Sequence, residues 1–163
     1  MVSLLIINQN KNSDSTNIAA GGLALSQSKG SAGLLAMAES NWDFGTISMK
    51  NGKVSHEFEI KNDGTEPLTI NKIYTSCMCT TVTMTDNTGK NYGIFGMPGH
   101  GGAASRANIK LGVGESLTAK TIFDPAAHGP SGVGLAQRTV YFETNSTKSP
   151  SSEFNFTATV INK

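Results

Sequence analysis

Both cysteines of the 163-residue chain fall one residue apart, at Cys77 and Cys79, in the run SCMCT. Two sulfurs at that spacing suit three kinds of chemistry: a soft-metal pair, a redox pair, or two small core side chains. A disulfide between them fits extended backbone poorly, because neighbours at i and i+2 of a strand rarely reach bridge geometry. The surrounding stretch, LTINKIYTSCMCTTVTM, is rich in Thr, Val and Ile and reads as strand. Side chains alternate along a strand, so Cys77 and Cys79 are expected on one face and Met78 on the other.

Three further residues bring ligand chemistry. Met97 and His100 lie in FGMPGHG, and His128 lies in AHGPSGVG. Thiolate and thioether favour Cu(I), and imidazole suits copper and zinc. Gly96, Gly99, Gly101 and Gly102 would let that loop approach closely. The expected metal set is therefore Cys77, Cys79, Met97, His100 and His128. Both cysteines with one histidine, and Met97 as an optional ligand, make the copper reading, which is preferred. Both cysteines with both loop histidines make the zinc reading, tetrahedral and structural. The bland alternative is that the cysteines are small buried residues, that Met97 pins a loop to an apolar surface, and that His100 is solvated. Redox exchange or a partner-linked disulfide is the remaining reading. It requires a lowered thiol pKa, and no Lys or Arg adjoins the pair in sequence.

No catalytic constellation accompanies these residues. The chain has no G-x-S-x-G elbow, no P-loop, no H-E-x-x-H, and no G-x-G-x-x-G after a strand. Asp124 and His128 could form an acid/base pair, but only the cysteines offer a nucleophile for a cysteine–histidine hydrolase. The chain reads as a non-enzyme. His56 reads as structural, buried and hydrogen-bonded. A net charge of +1 with scattered Lys and Arg argues against nucleic acid and against a basic membrane-surface helix. With 18 glycines and only 15% charged residues, the composition is that of a turn-rich β protein of extracytoplasmic type. The sequons at Asn145 and Asn155 are taken as chance.

The elements that must position the cysteines are short strands between turn signals. NWDFGTIS reads as a strand with Trp42, Phe44 and Ile47 inward. VSHEFEI alternates, with Val54, His56, Phe58 and Ile60 on one face. Asn51-Gly52 and Asp63-Gly64 mark turns. With LTAKTIFDP, AQRTVYFETN and SEFNFTATVIN, about seven strands and no long helix predict an all-β, antiparallel immunoglobulin-like sandwich. Residues 85–114 form a long Gly-rich connection, expected to be a functional loop. Residues 1–40 are expected to be a flexible segment, with VSLLII the remnant of a membrane anchor and a linker behind it. Residues 41–163 are the expected domain. A purely structural or protein-interaction module of the bacterial envelope, holding a partner at an edge strand, is the alternative to a metal site.

The stretch WDFGTISMKNGKVSHEFEIKNDGTEPLTINKIYTSCMCT resembles the DUF1573 family of bacterial proteins. That family is related to the ASH, major-sperm-protein and PapD-like branch of immunoglobulin-like sandwiches. Its elements fall at Trp42 to Ile47, Val54 to Phe58, Asn62 to Ile70, and Ser76 to Thr80. The resemblance extends over roughly residues 41–163, through VGESLTAKTIFDP and VYFETNS. It implies the sandwich fold and no established activity. Two features depart from the pattern: Met78 replaces the glycine of Cys-Gly-Cys, and residues 85–107 exceed the usual short connection.

Overall fold

The computed structural model describes residues 30–100 and 105–163. The proposed anchor and linker at 1–29, and Gly101 and Gly102 of the Met97 loop, lie outside the described residues. Ten strands are present among the described residues: β1 Leu35–Met37, β2 Asn41–Ser48, β3 Val54–Asn62, β4 Leu68–Thr75, β5 Thr80–Asp86, β6 Asn91–Phe95, β7 Arg106–Leu111, β8 Ser116–Phe123, β9 Gly134–Thr144 and β10 Ser151–Ile161. They build two five-stranded sheets, in the orders β1-β3-β8-β5-β6 and β2-β10-β9-β4-β7. The strand pairs are antiparallel except β2, which runs parallel to β10. The chain is an immunoglobulin-like β-sandwich, as its strand periodicity predicts.

Alternation places the core. In β3, Phe58 and Ile60 are buried while Ser55, Glu57 and Glu59 face solvent. Phe58 stacks on Phe154 of the opposite sheet at 3.8 Å between ring centroids. The main core runs between the sheets through Ile70, Val82, Met84, Phe95, Val140, Phe142 and Phe154. A second, smaller cluster of Cys79, Phe123, Ala136, Phe156, Ala158 and Val160 fills one end. That end carries the cysteines.

Three strands exceed the expected set. β6 and β7 lie within the 85–114 connection, where Phe95, Ile109 and Leu111 are buried. Glycine and asparagine obscured both strands in the sequence: Gly93 (φ 106°) and Asn108 (φ 50°) are left-handed inside them. The third, β1, lies in the segment expected to be flexible. It pairs with β3, and Leu35 is buried. The preceding residues are tied down by Ser31 N–H to the Asn145 carbonyl and by Thr147 N–H to the Ser31 carbonyl. Gly64 makes room for this strap, since a Cβ there would fall on the backbone of Gly33 and Leu34.

β2 also differs from expectation. Trp42 is not a core residue: it is 36% exposed and stacks flat on His56 at 3.7 Å. Phe44 and Ile47 both pack on the smaller cluster, although their spacing is three. A register shift between Thr157 and Thr159 of β10, opposite Gly45 (φ 66°), lets the strand change phase. His56 is largely buried, and its Nε2 lies 2.7 Å from Glu39 Oε2. This agrees with its reading as a structural residue.

Candidate functional site

The cysteines do not lie on a strand. Residues 76–79 form the turn between β4 and β5, and the Thr80 N–H donates to the Cys77 carbonyl at 3.1 Å. This corrects the expectation of two sulfurs alternating past Met78. The turn draws the Cys77 and Cys79 Cα atoms to 5.3 Å, and the two residues are joined as a disulfide. Two residues of extended chain would span about 6.5 Å, so the turn removes the objection raised against this bridge. Met78 sits at the tip, 49% exposed. Asn108 is the one left-handed non-glycine among the described residues, so position 78 does not require the family's glycine.

Neighbouring elements fix the turn on three sides. The Thr75 hydroxyl donates to the carbonyls of Cys77 (2.9 Å) and Thr80 (3.1 Å). Asp124 N–H, just past β8, donates to the Cys79 carbonyl at 2.8 Å. Ser76 N–H donates to the Thr139 carbonyl of β9, and Thr139 N–H returns a bond to Ser76 Oγ. Buried Thr75 and Thr80 give the turn few alternatives.

Two cationic or ionisable groups reach the sulfurs. His128, before the 3-10 turn Gly129–Gly132, places Nε2 3.1 Å from Cys77 Sγ. Arg138 lies on the inward face of β9 opposite Phe156, and its Nε–H donates to Cys79 Sγ at 3.0 Å. Its guanidinium lies over the Phe123 ring, and Nη1 donates to the Gln137 carbonyl. Burial draws the Arg138 guanidinium down from its ordinary value. Cys79 is 3% exposed, whereas Cys77 is half-buried and His128 exposed. Ligand atoms of Cys77, Cys79 and His128 all lie within 4.8 Å of one another.

The remaining expected residues stand differently. Gly96 accepts a bond from Thr75 N–H, which places the start of the Met97 loop beside the cysteine turn. Met97 itself is half-buried and accepts from His100 N–H in a tight turn. His100 is exposed and is not among the grouped ligands. Asp124 does not serve as an orienting acid in the arrangement seen: its carboxylate accepts from Ala126 N–H and pairs with Lys53. Arg138 was missed. Only strand alternation on β9, with 138 in phase with buried Ala136 and Val140, marks it as an inward arginine.

Residues 35–92 match the model of a family described as proteins of unknown function, DUF1573. The resemblance read from the sequence therefore holds for that stretch. The DUF1573 match includes Cys77 and Cys79 and ends before Met97, His100, His128 and Arg138. No curated protein matches the chain. Among solved structures, it is similar to a protein of unknown function from Porphyromonas gingivalis W83, with 15% identity and a TM-score of 0.55. That match covers 78% of this chain and 46% of the other, so the chain spans under half the length of that protein. It is also similar to the ASH/PapD-like domain 7 of human CEP192, with 16% identity, a TM-score of 0.48, and 79% and 86% of the two chains covered. These likenesses concern the fold. Among the described residues no helix is long and apolar enough to cross a membrane.

Proposed function

We propose that the cysteine turn is a soft-metal site that is open when reduced and closed when the disulfide forms, on a non-catalytic, extracytoplasmic domain. The carrying observation is the convergence of Cys77, Cys79 and His128 within 4.8 Å. Two thiolates and one imidazole form a soft, three-donor set that suits Cu(I). Structural zinc takes four ligands, and His100 stands outside the group, so copper is preferred to zinc. Arg138 beside Cys79 offsets the negative charge of a dithiolate holding a monovalent ion. The disulfide and the polar, glycine-rich composition favour an oxidising compartment.

The test is anaerobic titration of the reduced protein with Cu(I) against a competing chelator. One ion per chain is expected, absent from the Cys77→Ser/Cys79→Ser variant and from the oxidised protein. Binding no tighter than the variant's overturns the reading. A second reading, an interaction module, is favoured by β6, which ends its sheet with Ile94 59% exposed. An Ile94→Lys substitution that abolishes capture of an envelope protein, with copper binding intact, would support that reading instead.

A further inference from the structure

The two sulfurs occupy unlike settings. Cys77 is half-buried at the surface beside exposed His128, and Cys79 is buried against Arg138. We infer that the Cys77–Cys79 disulfide is a thiol–disulfide exchange centre, in which Cys77 takes the incoming thiol and Cys79 departs as a thiolate held by Arg138. The fitting substrate is an accessible dithiol, such as two cysteines of a reduced peptide segment. The inference shares residues with the metal reading but does not rest on it, since exchange uses the oxidised pair and no ion.

The step follows from access and leaving-group chemistry. A partner thiolate attacks Cys77 Sγ, the sulfur with solvent access. The Cys77–Cys79 bond breaks, and its electron pair stays on Cys79 Sγ. A cation beside the departing sulfur stabilises the negative charge that develops on it as the bond breaks. Arg138 supplies that cation at 3.0 Å, fixed by its bond to the Gln137 carbonyl. The partner's second thiolate then attacks the partner sulfur of the mixed disulfide and expels Cys77, towards which His128 Nε2–H can donate. The partner loses two electrons and two protons and gains a disulfide. The chain gains two electrons, and the protons end on Cys77 and Cys79. Each chain supplies one disulfide, so the reaction is stoichiometric unless an outside oxidant restores the bond.

Arg138 is a positioning residue here, and its role separates from packing by rate. The test uses the full chain, oxidised and treated with chelator, with dithiothreitol and then a reduced two-cysteine peptide as probes. Two thiols should be consumed per chain. In Cys79→Ser, Cys77 should form a mixed disulfide with glutathione disulfide far faster than Cys79 does in Cys77→Ser. Arg138→Gln should slow reduction by about threefold or more, through loss of the cation that stabilises the departing thiolate, and Arg138→Lys should restore part of the rate. Near-UV circular dichroism checks that the variants are folded. Two free thiols in air-equilibrated wild type, equal reactivity of the two cysteines, or a folded Arg138→Gln at wild-type rate would overturn the inference. If Arg138→Gln does not fold, the comparison of the two single-cysteine variants decides. A failed copper titration leaves these outcomes untouched.

Discussion

His128 meets Cys77 across 51 residues of chain, and Arg138 meets Cys79 across 59. Sequence spacing shows the first only as a candidate and the second not at all. Pairing of β4 with β9, Thr75 opposite Val140, carries Arg138 to the turn. The histidines therefore separate by position. Replacing His128 with Ala should weaken Cu(I) binding by about tenfold or more, since even groups that only support a ligand cost 10–100-fold. His100→Ala should leave it unchanged, and competition against a chromogenic Cu(I) chelator reads both. Equal losses would mean that the Met97–His100 loop enters the site after all. The cysteine pair itself was legible because the chain holds no other cysteine. Its geometry was not, because strand propensity in LTINKIYTSCMCTTVTM hid a turn that only the bonds from Thr75 and Thr139 reveal.

Elements show the same limit. The alternation of β3 was readable residue by residue, whereas β6 was masked by Gly93 and by the hairpin that introduces it. Asp86 closes that hairpin: its carboxylate accepts from Thr88 N–H and Oγ1–H, Lys90 N–H and the Tyr92 hydroxyl. These bonds, the Thr88 hydroxyl foremost, hold its pKa down from 3.8 to about 2. A folded-state pKa below the unfolded one stabilises the fold above the unfolded value, and the effect fades as pH falls through the folded value. The hairpin should therefore keep this support at pH 5 and lose it between pH 3.8 and about 2. Asp86→Asn should flatten that part of the stability curve, and a carboxyl-carbon NMR titration of Asp86 measures the midpoint directly. The β1 strap gives a second prediction. Gly64→Ala puts a Cβ on the Gly33–Leu34 backbone and should destabilise by about 1–3 kcal/mol in urea unfolding, as overpacking does.

For the whole molecule, composition and turn spacing were enough to name a sandwich, because a period of two repeated between Gly and Asn turns admits few other architectures. They placed its start too late. Ser31 to Met37 carries little strand signal, and its burial depends on Gly64, Ser149 and Asn145, which lie far along the chain. A chain begun at Ala38 should lose at least the 2–5 kcal/mol associated with one buried leucine, relative to one begun at Gly30, in denaturant unfolding. Equal stability of the two would show that β1 is not part of the folded unit. The strap lies with the main core, and the cysteine turn adjoins the smaller cluster, so truncation is expected to leave metal affinity nearly unchanged while the protein remains folded. The most direct measurement is copper K-edge X-ray absorption on the reduced, Cu(I)-loaded protein. Two sulfur donors and one imidazole nitrogen at a single ion are expected, lost together in Cys77→Ser/Cys79→Ser. A shell of nitrogen and oxygen alone, or no copper retained, would contradict the copper reading.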